Sequence, residues 1–197
     1  MKSEPIWQLF PEFRNNIAYV DIETTGLSRQ YNEITTIALY DGNQIHTYVN
    51  GKNLEDFKTD ILKYKFLVTY NGRSFDAPFI EAFFGMKLDH EHIDLRYPLK
   101  KLGYVGGLKA IEKRFGIDRG DLKQVDGFFA VRLWNEYKRT KNEKALETLL
   151  AYNCADVVNL EILMVHVFNQ TVSEQTVPVP IEFKIPFQVD MDLLKWL

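Results

Sequence analysis

The chain has a single cysteine, Cys154, among its 197 residues. An internal disulfide is therefore excluded, and the composition suits a reducing compartment. No stretch approaches 18 consecutive apolar residues, and the N-terminal MKSEPIWQLF lacks the apolar segment of a secretory signal. We therefore expect a soluble, cytoplasmic protein with no membrane partner.

Positive charge is also scarce, with 24 Lys and Arg against 27 Asp and Glu and a net charge of −3. This balance argues against a protein that holds nucleic acid by bulk electrostatics alone. It leaves open an enzyme that grips a few phosphates locally or through metal ions. The hydrophobic fraction of 46% is sufficient for one α/β domain with a sizeable core.

Hydrophobic patterning predicts a mixed sheet of five strands flanked by helices. The predicted strands are 17–23, 34–40, 44–49, 66–70 and 92–95, and the predicted helices are 54–64, 77–84, 108–115, 128–137 and about 143–168. Asp41-Gly42 is a hairpin signal between the second and third strands. The first three strands are expected to pair antiparallel, and the last two, which follow helical crossovers, to run parallel to the first.

A domain of residues 1–170 and a tail of residues 171–197 are the expected organisation. Three prolines between 178 and 186 exclude a helix in that part of the tail, which we expect to lie extended on the domain. The alternative is a partner-docking role for the apolar end, which consists of Leu193, Leu194 and Trp196.

The first strand ends in two acids, within YVDIETTGL. Asp21 and Glu23 are two residues apart on a strand, so they share one face of the sheet. Close carboxylates repel each other and lose hydration, and a divalent cation such as Mg²⁺ or Mn²⁺ relieves both costs. A solvated strand end is the ordinary explanation for such a pair taken alone.

Two further segments carry acids in positions that a core would not select. Asp76 follows the fourth strand in NGRSFDAPF, where it is either a helix cap or, with Ser74 as the cap, a free carboxylate in the first turn. Tyr152 and Asp156 in YNCAD lie one helical turn apart next to an apolar surface. A Tyr–Asp pair at the edge of the apolar stripe is the alternative there.

Taken together and in this order, DIETTGL, NGRSFDAPF and YNCAD resemble the DnaQ-like, or DEDD, 3′–5′ exonuclease superfamily in its tyrosine branch. The segments GLKAIEKRFGIDR, LWNEY and YNCADVVNLEIL more closely resemble the YprB-type ribonuclease-H-like domain. The resemblance covers the chain to about residue 170. It implies a ribonuclease-H-like fold and a nucleic-acid substrate, cut from the 3′ end of a DNA or RNA strand.

The resemblance also implies roles for individual residues. Asp21, Glu23, Asp76 and Asp156 would bind two divalent ions, Mg²⁺ or Mn²⁺, that clamp a phosphodiester. Tyr152, a poor base at neutral pH, would orient the attacking water. The residues expected at the 3′-terminal nucleotide and its base are Thr24, Thr25, Gly26, Leu27, Asn71 and Phe75.

Other charged groups receive ordinary explanations. His90 and His92 have metal-like spacing but are interpreted as polar residues at a strand end, and Asp94 as a supporting acid. A set of basic residues forms either a phosphate site behind Gly106-Gly107 or a mixed solvated face; its members are Lys109, Lys113, Arg114, Arg119 and Lys123.

Four other functions compete with the exonuclease. A dehalogenase-type phosphatase needs an Asp where Glu23 stands, and an actin-like ATPase needs a glycine there. A nucleic-acid-binding or regulatory module with weak catalysis is the main alternative, and endonucleolytic cutting on the same scaffold is another.

Overall fold

The computed structural model describes residues 5–172, 176–180 and 183–196. Five strands form one sheet. Their bounds are β1 Ile17–Thr24, β2 Ile34–Tyr40, β3 Ile45–Val49, β4 Phe66–Thr69 and β5 Glu91–Asp94. Each lies within a residue or two of the strand expected from the hydrophobic pattern.

The sheet has the strand order β3-β2-β1-β4-β5. β1 pairs antiparallel with β2, and β2 pairs antiparallel with β3. β4 pairs parallel with β1, and β5 pairs parallel with β4. The predicted mixed sheet, with a three-stranded meander and two parallel strands, is confirmed.

Eight α-helices surround the sheet in the described part of the chain. They are α1 Phe10–Phe13, α2 Phe57–Asp60, α3 Asp76–Phe84, α4 Arg96–Lys101, α5 Leu108–Arg114, α6 Gly127–Thr140, α7 Glu143–Thr171 and α8 Leu193–Trp196. Short 3₁₀ helices are Ile6–Leu9, Arg14–Asn16, Leu54–Asp56, Ile61–Lys63 and Gly120–Gln124.

Several helical segments differ from the expectation. The predicted helix 54–64 is a composite, in which α2 is flanked by two 3₁₀ turns. The short helices α1, α4 and α8 were not predicted, and α4 contains Pro98 in its first turn, where a proline is tolerated.

The long helix α7 covers one face of the sheet. Tyr19 of β1, Tyr40 of β2 and Val68 of β4 belong to the same core cluster as the α7 residues Leu160 and Leu163. The 29-residue helix is long and apolar enough to cross a membrane, but 94% of its most hydrophobic window is buried inside the protein. Its apolar composition is therefore explained by its place at the centre of the core.

The opposite face of the sheet packs on α2 and α3. Ala18, Val20 and Ile22 of β1 contact a second cluster that includes Phe57 and Phe79. Alternate residues of β1 thus belong to opposite faces, as the period of a strand requires. It follows that Asp21 and Glu23, which are in phase with Tyr19, lie on the α7 face.

Between α7 and α8, the described residues 176–180 and 183–192 belong to no helix or strand. Val177, Phe183 and Ile185 are partly buried against the core cluster beneath α7. Asn169 fastens the first part of this segment, since its side-chain amide exchanges two 2.8 Å hydrogen bonds with the backbone of Val177. The side chains of Leu194 and Trp196, named above as a docking surface, lie outside the described residues.

Candidate active site

The carboxyl end of β1 carries Asp21 and Glu23 beyond the reach of its parallel neighbour. The pairing of β1 with β4 ends at Tyr19 opposite Val68, whereas the pairing with β2 continues to Thr24. One edge of β1 is therefore open where the two acids emerge. Ligands of open α/β sheets bind at such carboxyl ends of parallel strands.

Asp156 of α7 joins these two acids. One carboxylate oxygen from each of Asp21, Glu23 and Asp156 lies within 4.8 Å of the other two. Glu23 and Asp156 are buried, and Asp21 is partly buried. Oxygen ligands in this arrangement suit a hard cation such as Mg²⁺ or Mn²⁺, whose charge offsets the repulsion between the carboxylates.

Asp76 reaches β1 from the start of α3. Its Oδ1 accepts a hydrogen bond from the backbone N–H of Ile22 at 3.3 Å, at the open edge of the strand. The N-cap position of α3 is Phe75, and no side chain caps the helix. Ser74 donates instead to the carbonyl oxygen of Asn71 at 3.0 Å. Of the two interpretations left open by the sequence, Asp76 is the free first-turn carboxylate, but Ser74 is not the cap.

The turn before α3 is held by Asp94, at the end of β5. The carboxylate of Asp94 accepts hydrogen bonds from the backbone N–H groups of Asn71 at 2.7 Å and Arg73 at 3.1 Å. Gly72 admits no side chain, because a Cβ there would lie 2.3 Å from Oγ1 of Thr69. Asp94 thus fixes the turn that delivers Asp76 to the site, without being part of the acidic cluster.

Asn153, on α7 between Tyr152 and Asp156, fastens the helix to β1. Its Nδ2 donates to the Asp21 carboxylate at 2.7 Å and to the Asp21 carbonyl at 3.1 Å. Its Oδ1 accepts a hydrogen bond from Thr36 Oγ1 of β2 at 3.0 Å. A fully buried amide therefore sets the orientation of Asp21 relative to Asp156.

Burial and mutual repulsion act on all four acids. Burial raises the pKa of Asp21 and Glu23 well above the usual range, and the charges of Asp156 and Asp76 raise both further. Burial likewise raises the pKa of Asp76 to about 7. The pKa of Asp156 is also raised by burial, with Arg119 acting in the opposite direction. Without a cation, the raised pKa values favour protonation of the cluster.

Tyr152 stands one turn of α7 before Asp156 and is buried. Burial raises the pKa of its phenol, and the neighbouring charges of Asp156, Glu23 and Asp21 raise it further. The hydroxyl is therefore held in its neutral form, which can donate a hydrogen bond but does not supply a negative charge. Lys109 Nζ lies 5.0 Å from the ring centroid.

Arg119 also meets the acidic cluster. It forms ion pairs with Asp156 and with Glu112 of α5, and its side chain is only 5% exposed. Because its side chain is buried, the mixed solvated face does not describe Arg119, whereas the phosphate site behind Gly106-Gly107 stays a prediction. Charge counts along the sequence missed it because the folded chain, rather than local spacing, brings Arg119 to Asp156.

These residues line a cleft of about 530 Å³ at the carboxyl end of β1. Its walls include the five residues predicted to carry the chemistry, and Asn71 and Phe75 from the predicted substrate set. Lys109, Arg119 and Gly127 complete the wall opposite the sheet. Asn71 adopts a left-handed backbone, with a φ of 64°.

Of the four remaining predicted substrate residues, Thr24 ends β1 and Thr25 to Leu27 follow it in the loop, and none of the four is among the residues that line the cleft. Thr24 Oγ1 donates to the Gly26 carbonyl at 2.8 Å, and Thr25 Oγ1 accepts from the N–H of Glu33 at 3.0 Å. A Cβ on Gly26 would lie 2.8 Å from the side chain of Asn32. Leu27 is 85% exposed. The threonines therefore shape the loop, and Leu27 projects from it.

The two histidines discounted in the sequence have hydrogen-bonding partners away from the cluster. His92 Nε2 lies 2.8 Å from Thr69 Oγ1, and His90 Nε2 lies 3.0 Å from the Ile61 carbonyl. Burial lowers the pKa of His92 to about 4.

The sheet order, the covering helix α7 and the acids at the carboxyl end of β1 define a domain with the ribonuclease-H-like nuclease fold. Residues 18–168 match the family model of the RNase_H superfamily, and the chain belongs to that superfamily.

One curated relative and two solved structures extend this assignment. The chain is 26% identical over 194 residues to the uncharacterized protein YprB of Bacillus subtilis, a match that covers 84% of the chain but only 45% of YprB. Brucella melitensis NrnC with bound Mg²⁺ is similar in fold, with a TM-score of 0.55 and 16% identity over 80% of this chain and 74% of NrnC. NrnC bound to pGG has a TM-score of 0.54 and 19% identity, over 82% of this chain and 75% of NrnC. The predicted relationship with YprB-type, ribonuclease-H-like domains is confirmed.

Proposed function

We propose that the chain is a metal-dependent 3′–5′ exonuclease that hydrolyses phosphodiester bonds of DNA or RNA and releases nucleoside 5′-monophosphates. The observation that carries this proposal is the convergence of Asp21, Glu23 and Asp156 within 4.8 Å, with Tyr152 and Asp76 beside them. Four acids in one buried cleft cost free energy unless a cation is bound there. The likeness in fold to NrnC with bound Mg²⁺ is consistent with this choice of cation.

The four acidic side chains would bind two divalent ions. Asp21, Glu23 and Asp156 would hold one divalent ion, and Asp21 with Asp76 would hold a second. Two such ions, when bound, would supply a nucleophile at neutral pH and stabilise the attacking and leaving oxygens of the phosphodiester. Asn153 keeps the Asp21 carboxylate in place through the 2.7 Å hydrogen bond.

Tyr152 would orient the attacking water. Its raised pKa keeps the hydroxyl protonated, so a role as general base is excluded at neutral pH. Asn71 and Phe75, at the mouth of the cleft, would contact the terminal nucleotide. Leu27, at 85% exposure on the loop after β1, would wedge against the terminal base.

We further infer that residues 1–170 form the catalytic domain and that residues 171–197 form a tail lying on it. Val177 and Phe183 support this division, because both follow α7 in the sequence and are partly buried against the core. A cytoplasmic location is inferred from the single buried cysteine.

The test is a panel of 5′-labelled DNA and RNA oligomers, single-stranded and duplex, incubated with Mg²⁺ or Mn²⁺. Because NrnC was solved with pGG, this short ligand belongs in the panel. A ladder that shortens from the 3′ end, and that is absent with Asp156→Asn, is the expected result. Internal fragments would indicate an endonuclease. Binding without cleavage under either metal would contradict the proposal and favour a nucleic-acid-binding module.

A further inference from the structure

We propose that Arg119 is a positioning residue, which holds the carboxylate of Asp156 and the ring of Tyr152 in the geometry that metal binding and catalysis require. The proposal rests on the function proposed above. It concerns three buried groups outside the acidic cluster, namely Arg119, Glu112 and Asn159.

Arg119 is clamped by Glu112 through both carboxylate oxygens. Nε donates to Oε2 and Nη2 donates to Oε1, each at 2.6 Å. The two side chains are only 5% and 2% exposed. A planar guanidinium gripped in this two-point fork cannot rotate freely, so its remaining N–H groups have fixed directions.

Glu112 is itself anchored to the helix that carries the catalytic motif. Its Oε1 accepts a hydrogen bond from Nδ2 of Asn159 at 2.9 Å. Asn159 is buried and lies on α7, three residues after Asp156. The clamp therefore ties α5, the segment after it and α7 into one unit around Asp156.

The guanidinium held in this way contacts both members of the Tyr-x-x-x-Asp motif. Nη2 donates to Oδ1 of Asp156. The guanidinium carbon also lies 5.5 Å from the centroid of the Tyr152 ring, within the range of a cation–π contact. A carboxylate has two oxygens, so the hold on Oδ1 fixes the plane of Asp156 and leaves Oδ2 for a cation.

Direct contact with substrate is a different role for an arginine in a nuclease cleft. Arg119 is poorly suited to it, since 95% of its side chain is withdrawn from solvent and two of its three nitrogens are committed to Glu112. Its Nη1 is buried and lacks a hydrogen-bond partner within the described residues. A phosphate could reach that atom only if the surrounding chain moved.

The test compares Arg119→Lys with the same substitution of another arginine that pairs with a carboxylate of α7. Lysine keeps the positive charge but offers one compact ammonium, which cannot replace the fork to Glu112 and the contact with Asp156 together. The control is Arg14→Lys. Arg14 donates two hydrogen bonds to Glu161 of α7, of 3.2 and 2.8 Å, and this pair lies outside the cleft. Two readouts are taken: Mn²⁺ affinity by calorimetry without nucleic acid, and kcat and KM at saturating Mn²⁺.

We expect Arg119→Lys to bind Mn²⁺ about 10- to 100-fold more weakly and to lower kcat, with KM for the oligonucleotide unchanged. Arg14→Lys should leave all three values at the wild-type level. Glu112→Gln, which keeps the shape of the clamp but not its charge, should weaken Mn²⁺ binding in the same direction by a smaller factor. If Arg119→Lys does not fold, the Mn²⁺ affinity of Glu112→Gln tests the role of the clamp instead.

An unchanged Mn²⁺ affinity in the folded variant would overturn the proposal. So would a raised KM with unchanged kcat and Mn²⁺ affinity, which is the signature of a substrate contact. A wild-type protein that binds Mn²⁺ but cuts no nucleic acid would refute the exonuclease function alone, since the affinities of the variants would still decide the role of Arg119.

Discussion

Helix α7 carries two buried carboxylates, at Asp156 and Glu161, in very different surroundings. Glu161 is matched one to one by Arg14, which donates two hydrogen bonds to it. Asp156 is also paired with an arginine, Arg119. However, Asp156 lies among Asp21, Glu23 and Asp76 as well, so negative charge exceeds positive charge there. The balanced pair has the character of a structural contact, whereas the unbalanced cluster is a place where a cation belongs.

A pair of isosteric changes, Glu23→Gln and Glu161→Gln, tests the difference between the two regions with the largest expected effect. Both side chains are buried, at 8% and 2% exposure. Glu23→Gln should reduce nuclease turnover by about 10³-fold or more, because it removes a metal ligand, and should leave the fold intact. The measurement is the rate of release of mononucleotides.

Glu161→Gln should leave turnover unchanged and lower the free energy of unfolding by about 1–3 kcal/mol, since it leaves Arg14 without its counter-ion. The smaller values in this range are expected because the Arg14 side chain is 33% exposed. A loss of turnover with Glu161→Gln, or full activity with Glu23→Gln, would remove the distinction between the two regions.

Tyr152→Phe should have the next largest effect on turnover. Loss of the hydroxyl should slow kcat by about 10- to 100-fold, because the attacking water loses its orienting partner. Mn²⁺ affinity should be retained, since the phenol is not a ligand. Tyr19→Phe is the control, because the Tyr19 hydroxyl is also buried but lacks a hydrogen-bond partner among the described residues. Full activity of Tyr152→Phe would end the proposed role.

Metal addition should stabilise the protein in a pH-dependent way. Because the pKa values of Asp21 and Glu23 are raised, protons compete with the cation more strongly as the pH falls. Mn²⁺ should therefore raise the melting temperature more at about pH 8 than at about pH 5. Scanning calorimetry of the wild type and Glu23→Gln checks this, and an equal shift in both proteins would place the cation elsewhere.

Asp76→Asn should give the smallest effect, and it concerns stability without metal. Because the pKa of Asp76 is raised to about 7, the folded state binds its proton more tightly than the unfolded state does. This carboxyl therefore costs stability as the pH rises from about 4, its unfolded pKa, through about 7. The variant removes that cost.

Asp76→Asn should accordingly melt about 3–8 °C higher than the wild type at about pH 8 and equally at about pH 4. Asn can still accept the hydrogen bond from Ile22. The control is Asp118→Asn, since Lys123 and the N–H of Gly120 lower the pKa of that exposed acid. It should leave the melting temperature unchanged or slightly lower. A destabilised Asp76→Asn at about pH 8 would contradict the strain assigned to the cluster.

The strands were predictable from the sequence because the apolar run that begins β1 and the Asp41-Gly42 turn are local signals. The three acidic motifs were also visible, since each follows a recognisable element. Their convergence was not a local property. It depends on the register of β1 against β4, which leaves Asp21 and Glu23 beyond the last paired residue.

Arg119, Glu112 and Asn153 could not be found in the same way. Arg119 and Glu112 stand in a segment of mixed charge, and nothing in their spacing shows that both become buried. Asn153 sits inside YNCAD, but its contact with Asp21 joins residues that are far apart in the sequence. Such partners are chosen by tertiary packing rather than by local pattern.

The most direct test of the central claim, that the unbalanced acids form a metal site, is a calorimetric titration of Mn²⁺ into the metal-free protein. Our account predicts saturable binding at about pH 8 that is lost in Glu23→Gln and retained in Glu161→Gln. Absence of saturable binding in the wild type, or equal binding by both variants, would contradict it.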